Sequence, residues 1–181
     1  RFQPLRTAIA PLAHPPPPML DRHMLDETNV ILTAARAALD QALAHGKQTT
    51  AGGKAIDDHQ VHAERLAYAA TEVAAADALA AHAKARHDGG AADRTTDMMA
   101  LAFAAEVADR LRSRIEGHPD DFGVSDAVLD RTLRDAKVMA AVRAGHHEAR
   151  VREIGQEVIR TRGNSMSEAL PRPSTIVVLS L

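Results

Sequence analysis

Residues 66–90, LAYAATEVAAADALAAHAKARHDGG, decide how this chain is read. Leu66, Ala69, Val73, Ala76 and Ala80 return every three or four positions, which is the period of a single helix face. Gly89 and Gly90 follow Asp88 and stop the pattern. The spacing predicts a helix from about Ala55 to His87 whose buried stripe is built largely of methyl groups.

The same period recurs on both sides. From Asp21 to about His45 the apolar positions are Leu25, Leu32, Ala35, Leu39 and Ala42, with Gly46 and then Gly52-Gly53 expected to end the helix. Asp93 is a suitable N-cap for a third helix carrying Met98, Leu101, Ala105, Ala108 and Ile115 until Gly117-His118-Pro119 interrupts it. Ser125 is expected to cap a fourth, bearing Leu129, Leu133, Ala136 and Ala140. A shorter fifth is expected from about His147 to Thr161. Antiparallel helices joined by short glycine turns describe an all-α, up-down bundle of four main helices plus a shorter C-terminal one. No internal repeat is evident.

His14 is followed by four prolines, so residues 1–19 read as an extended arm or linker. The bundle domain is expected over residues 20–162. Residues 163–181 form a tail ending in STIVVLSL, which resembles a short strand docked on the domain or on a neighbouring subunit.

With 181 residues the chain is long enough for one domain with a continuous core. Aromatic residues make up only 2% of it, so that core has little bulk, and added stabilisation from an oligomer interface is expected. A formal charge of −2 from well-mixed acids and bases gives no basic stripe for nucleic acid. No apolar run reaches the roughly 18–20 residues of a membrane span. The absence of cysteine removes disulfides, thiolate nucleophiles and Cys-type zinc sites together, and fits a cytoplasmic protein.

Three segments together resemble the C-terminal all-helical domain of acyl-CoA dehydrogenases. The family signature Arg-x-x-Phe-Gly-Lys-x-Ile-x-x-x-Gln corresponds to TTAGGKAIDDHQ, with matches at Gly53, Lys54, Ile56 and Gln60. The following Leu-Ala-x-x-Ala corresponds to Leu66-Ala67-Tyr68-Ala69-Ala70. The later Glu-Arg-x-x-Arg-Asp-Ala-Lys corresponds to DRTLRDAK, Asp130 to Lys137. The order holds from Leu20 to about Arg160, and the family's N-terminal helical and middle β-domains are not expected in the residues before Leu20.

The resemblance also implies what has changed. Thr49 stands where the family's arginine meets the flavin diphosphate across the dimer, and Gly52 stands where a phenylalanine is found. Met24 occupies the place of an arginine near the acyl-CoA. Arg114, Gly117 and His118 replace a Gln-x-x-Gly-Gly that faces the neighbouring flavin. Ala144 holds the position of the usual catalytic glutamate, and His23 the alternative position of that carboxylate on the first helix. The chain is therefore expected to hold no cofactor of its own, FAD entering only if a partner subunit completes the site.

Candidate acid-base groups cluster in sequence just past Ala144. His146, His147 and Glu148 follow Gly145, Arg143 precedes it, and His23 belongs to the same family pocket. An imidazole titrates near neutrality and a guanidinium can stabilise a developing carboxylate or enolate. The plainer reading makes Gly145 a helix stop with histidines favoured at its C-terminal dipole. His59-x-x-His62, with Asp58 beside it, has two of the ligands of a metal site but reads first as a solvated face. Gly52-Gly53-Lys54 lacks phosphate-loop spacing and reads as a turn, and Met98-Met99 as core.

Two functions are consistent with these residues. One is an oligomerising structural or interaction module, forming a homo-oligomer or docking on a subunit that carries the missing domains, including the non-catalytic subunit of a heteromeric dehydrogenase. The other is a flavin-independent acid-base enzyme of cyclase or lyase type, acting on an apolar or acyl small molecule in the inherited pocket. A closed interior filled by Met24 favours the first, and an open apolar cavity with convergent histidines favours the second.

Overall fold

The computed structural model describes residues 19–163, with side chains from residue 23 onward. The proline arm, apart from Met19, and the strand-like STIVVLSL lie outside the described residues. Among these, every regular element is helical: α1 (Met19–Thr49), α2 (Gln60–Asp88), α3 (Arg94–Gly117), α4 (Pro119–Phe122), α5 (Asp126–Arg131), α6 (Ala136–Gly145) and α7 (Glu148–Thr161), with a 3₁₀ turn at Ile56–His59. Helices α1, α2 and α3 pack on one another, α6 lies against α1 and α3, and α7 rests on α3. The short α4 closes the end where the three long helices meet.

Alanine sets the scale of this packing. Ala35, Ala38, Ala42, Ala76, Ala104 and Ala105 have no exposed surface, and Ile31, Leu32, Leu101, Leu111 and Ile115 fill the spaces between them. Small side chains let helix axes approach closely, so contact is made along whole faces rather than through a few rings. Phe122 is the one fully buried aromatic among the described residues, carried into the core by α4. Gly123, which follows it, has φ +60°, and a Cβ there would lie 2.2 Å from the His45 ring. Both the left-handed backbone and the space demand glycine.

Two other glycines act as contacts: Gly46 where the sequence suggests a stop, and Gly145 in addition to ending its helix as expected. Gly46 does not end α1, which runs on to Thr49; a Cβ at Gly46 would meet Leu66 Cδ1 of α2 at 2.2 Å. Gly145 is the buried last residue of α6, and a Cβ there would meet Ala105 Cβ at 2.4 Å and the Leu101 carbonyl at 2.9 Å on α3. Each glycine brings two helices into contact that any side chain would hold apart.

The expected fourth helix is broken. α5 stops at Arg131, the Arg134 amide donates to the Leu129 carbonyl, and Thr132 Oγ1 donates to the Val128 carbonyl. Asp135 then caps α6, its carboxylate accepting from the amides of Lys137 and Val138. Restarting changes the phase, so Ala136 and Ala140 are exposed while Val138, Ala141 and Val142 face inward. Asp93 caps α3 as expected, accepting from the Thr95 and Thr96 amides, whereas Ser125 precedes α5 without a side-chain capping bond. α2 starts after the 3₁₀ turn, five residues later than the expected Ala55.

Gly145→Ala is expected to lower stability by about 1–3 kcal/mol through overpacking against Ala105 and Leu101. Gly155→Ala, in α7 with nothing within 4 Å of its would-be Cβ, is expected to raise it by about 0.5–1 kcal/mol. Urea unfolding of the two variants beside the parent checks both signs.

Candidate functional site

At the corner between α6 and α7 the backbone is tied off. His146 follows the last residue of α6, its amide donating to the Val142 carbonyl at 3.0 Å, and His147 precedes α7 without a side-chain capping bond. The Arg150 guanidinium donates to the Ala144 carbonyl, so the family's base position is flanked by a helix-end cap. Arg143, His146, His147 and Glu148 are all exposed, and Glu148 pairs with Arg152 along α7. His23 lies on α1, its side chain 74% exposed, 3.5 Å from Glu27. Among the described residues no hydrogen bond or ion pair links these five groups, and none of them lines either of the two principal clefts.

Of the other family positions, Thr49, Met24 and Arg114 are engaged within the bundle, while Gly52, Gly117 and His118 are exposed. Thr49 Oγ1 donates to the His45 carbonyl at 3.1 Å. Met24 is buried, and Thr28 Oγ1 donates to its carbonyl at 2.7 Å. Arg114 forms a fork on Glu72 of α2 at 2.6 and 3.0 Å, and Arg110 joins the same carboxylate at 3.2 Å. Burial works to raise the pKa of Glu72, but the guanidinium groups of Arg114 and Arg110 outweigh it and hold the carboxyl below its ordinary value. Within the DRTLRDAK segment, Arg134 bonds to Glu116 at the end of α3 and to Asp126 and Asp130 of α5, which raises its pKa still further. That motif ties the broken fourth helix to the third.

His59-x-x-His62 departs from the expected solvated face. His62 is buried, its Nδ1 3.8 Å from Asp121 Oδ1, and its Nε2 has no hydrogen-bond partner. Asp121 is also held by Arg65, and the ring of His45 meets His62 edge-on at 5.9 Å. No group of three potential ligands suited to a metal ion occurs among the described residues. Gly52 and Gly53, both with positive φ, turn the chain between α1 and α2 and leave Lys54 exposed.

The larger cleft, about 820 Å³, lies between α1 and the C-terminal half of α2. Arg36 of α1 grips Asp77 of α2 across it with contacts of 2.6–3.0 Å. Within the cleft, His87 Nε2 lies 2.7 Å from Asp97 Oδ2 of α3, and both side chains are almost wholly buried. Residue-by-residue reading missed this pair. Its signal was present in the Asp88-Gly89-Gly90 reversal, which folds α3 back so that residues ten apart can meet. A second cleft, about 340 Å³, lies between the start of α3 and α7 and is spanned by the Arg94–Glu153 ion pair.

Residues 29–159 match the family described as "Acyl-CoA dehydrogenase, C-terminal domain", and the chain belongs to that family. Cyclohexane-1-carbonyl-CoA dehydrogenase of Geobacter metallireducens is 26% identical over 130 residues, covering 71% of this chain. The match covers 34% of that enzyme, so the chain corresponds to about a third of its relative's length. No solved structure matches. Among the described residues no helix is long and apolar enough to cross a membrane.

The depressed pKa of Glu72 means that its ion pairs contribute stability above the ordinary glutamate range, a contribution lost as pH falls through the folded-state value. Glu72→Gln is therefore expected to be less stable than the parent at pH 7 and to converge with it in acid, as read by urea unfolding across pH. Changing His146 and His147 together to alanine is expected to alter stability by no more than about 0.5 kcal/mol, since both side chains are exposed. Thermal melts of the double variant check this.

Proposed function

We propose that this chain serves as an oligomerising helical module of the acyl-CoA dehydrogenase type, supplying neither the flavin-diphosphate contact nor the α-proton base from its own residues. Removing a proton beside an acyl thioester requires a base of suitable pKa at the reacting carbon. Ala144 cannot act as one, and His23 at the alternative position is solvated and paired with Glu27. A diphosphate needs a fixed cationic partner; Thr49 carries no charge and its hydroxyl is turned onto its own helix.

The observation that carries the assembly role is the outer face of α2. Ala67, Thr71, Ala74, Ala78, Ala81 and Ala85 follow one another at alternating spacings of four and three, and all are exposed. The inner face of the same helix carries His62, Leu66, Ala69, Val73, Ala76 and Ala83, all buried. α2 thus has two small-residue stripes on opposite sides, of which the fold covers one. Alternating three- and four-residue spacing is the pattern by which helices mesh along their length, and methyl-sized side chains permit close approach. Tyr68, 59% exposed, and Val61, 60% exposed, flank this face with larger apolar surface of the kind that anchors interfaces.

Buried Met24 favours this reading over a flavin-independent enzyme working in the inherited pocket. None of the five acid-base candidates lines the larger cleft, and no hydrogen bond or ion pair joins them among the described residues. Native mass spectrometry of the full chain is expected to give an oligomer, without the near-450 nm absorbance of bound flavin. Ala78→Glu, placing a charge in the centre of the outer stripe, is expected to shift it to monomer with its far-UV helix signal intact. A parent that is already monomeric, with no co-purifying subunit, would refute the module; a yellow protein bleached by an acyl-CoA would refute the loss of chemistry.

A further inference from the structure

α7 is held to the bundle along a narrow edge. It is 14 residues long, yet none of them is buried. Ile154 packs against the core, and the Arg94–Glu153 pair and the bond from Arg150 to the Ala144 carbonyl tie the helix to its surroundings. A helix of this length is marginal in water unless tertiary packing covers its apolar side.

An apolar face is left over. Val151 and Val158, seven positions apart, lie on one side of α7, and Ile159 adjoins them. They are 54%, 36% and 78% exposed. Charged side chains around them are paired with each other, Arg152 with Glu148 and Arg160 with Glu157. An occupant of this face therefore needs apolar side chains and no charge of its own.

The sequence beyond α7 supplies such an occupant. The helix ends in two residues of left-handed backbone, Arg162 at φ +53° and Gly163 at φ +75°, whose amides donate to the carbonyls of Ile159 and Val158, so the chain is turned off the helix axis. NSMSEALPRPSTIVVLSL follows, in which Pro171 and Pro173 oppose a helix and residues 174–181 carry no charged side chain. Ile176, Val177, Val178 and Leu179 have the composition of an extended segment that buries one side. At about 3.3 Å per extended residue, residues 164–175 reach up to roughly 40 Å, whereas α7 is about 21 Å long, so the apolar run can lie anywhere along the face. Tethering sets its effective concentration on the order of millimolar, above that of a second copy in dilute solution.

We infer that the face of α7 formed by Val151, Val158 and Ile159 is the docking surface for the chain's own residues 176–179. This does not rest on the α2 assembly face. Docking completes the cover that α3 gives α7 only in part.

The chain contains no cysteine, so Ser174→Cys in the full chain takes a nitroxide label at a single place. Paramagnetic broadening of backbone amide signals then reads where the segment lies. The amides from Val151 to Ile159 are expected to broaden, and those of Val61 and Tyr68, comparably exposed on α2, are expected not to. Val151 decides the matter, because it is the position on the face farthest in sequence from the tether at Gly163. Val177→Asp together with Val178→Asp is expected to relieve the broadening at Val151 several-fold. Ile159→Asp, at an exposed position, is expected to do the same from the other side of the contact with the rest of the spectrum unchanged. Mixing labelled chain with unlabelled, isotope-enriched chain separates a tail reaching its own helix from one reaching a second copy. Broadening confined to residues 161–163, broadening at Val151 that survives the Asp substitutions, equal broadening on α2, or broadening carried across molecules in the mixture would each overturn the inference.

Discussion

Close approach of helices is the constraint on which this fold depends. With so few aromatic and large aliphatic residues, the core cannot be filled by bulk, and burial has to come from bringing backbones together along extended faces. Gly46 allows α1 to meet α2 at Leu66, and Gly145 allows α6 to meet α3 at Leu101 and Ala105. Between these two points the buried alanines of α1 and α3 keep the spacing short. Phe122, delivered by α4 and held in place by the left-handed Gly123, closes the end that small residues leave open.

Charged residues act mainly as braces across this thin core. Arg114 and Arg110 tie α3 to α2 through Glu72, Arg36 ties α1 to α2 through Asp77, and Arg134 ties α5 to α3 through Glu116. Exposed pairs contribute little singly. Several pairs on different helix couples nonetheless hold the register of elements whose apolar contacts are shallow. Some positions of the family signature take part in this bracing, as Arg114 and Arg134 do, whereas Lys54, Ile56 and Gln60 stay exposed. The same account covers the α6–α7 corner, where Arg150 satisfies the Ala144 carbonyl and the histidines point to solvent.

One feature faces outward in a way the bundle's own packing does not use. The outer stripe of α2 repeats, in smaller residues, the spacing by which its inner stripe packs, and this underlies the proposed assembly role. On the other side of the helix end, the buried His87–Asp97 bond closes the turn from α2 to α3.

Helix periodicity, the capping Asp93 and the Gly117-His118-Pro119 interruption are local properties, set by the 3.6-residue repeat and by backbone hydrogen bonding, and they were legible in the amino-acid order alone. So were the inward positions Leu32, Leu39, Leu66, Val73, Leu101 and Ile115 and the kinship with the acyl-CoA dehydrogenase helical domain. The break at Thr132 was not, because a continuous apolar stripe can be drawn through it and only the Asp135 cap and the Arg134 brace decide against one helix. Nor were the roles of Gly46 and Gly145, since the same residue that ends a helix also admits a neighbouring backbone. The burial of His62 and the meeting of His87 with Asp97 were likewise decided by tertiary structure. Which side chains share a space depends on how helices cross, and one-dimensional spacing carries no record of that crossing.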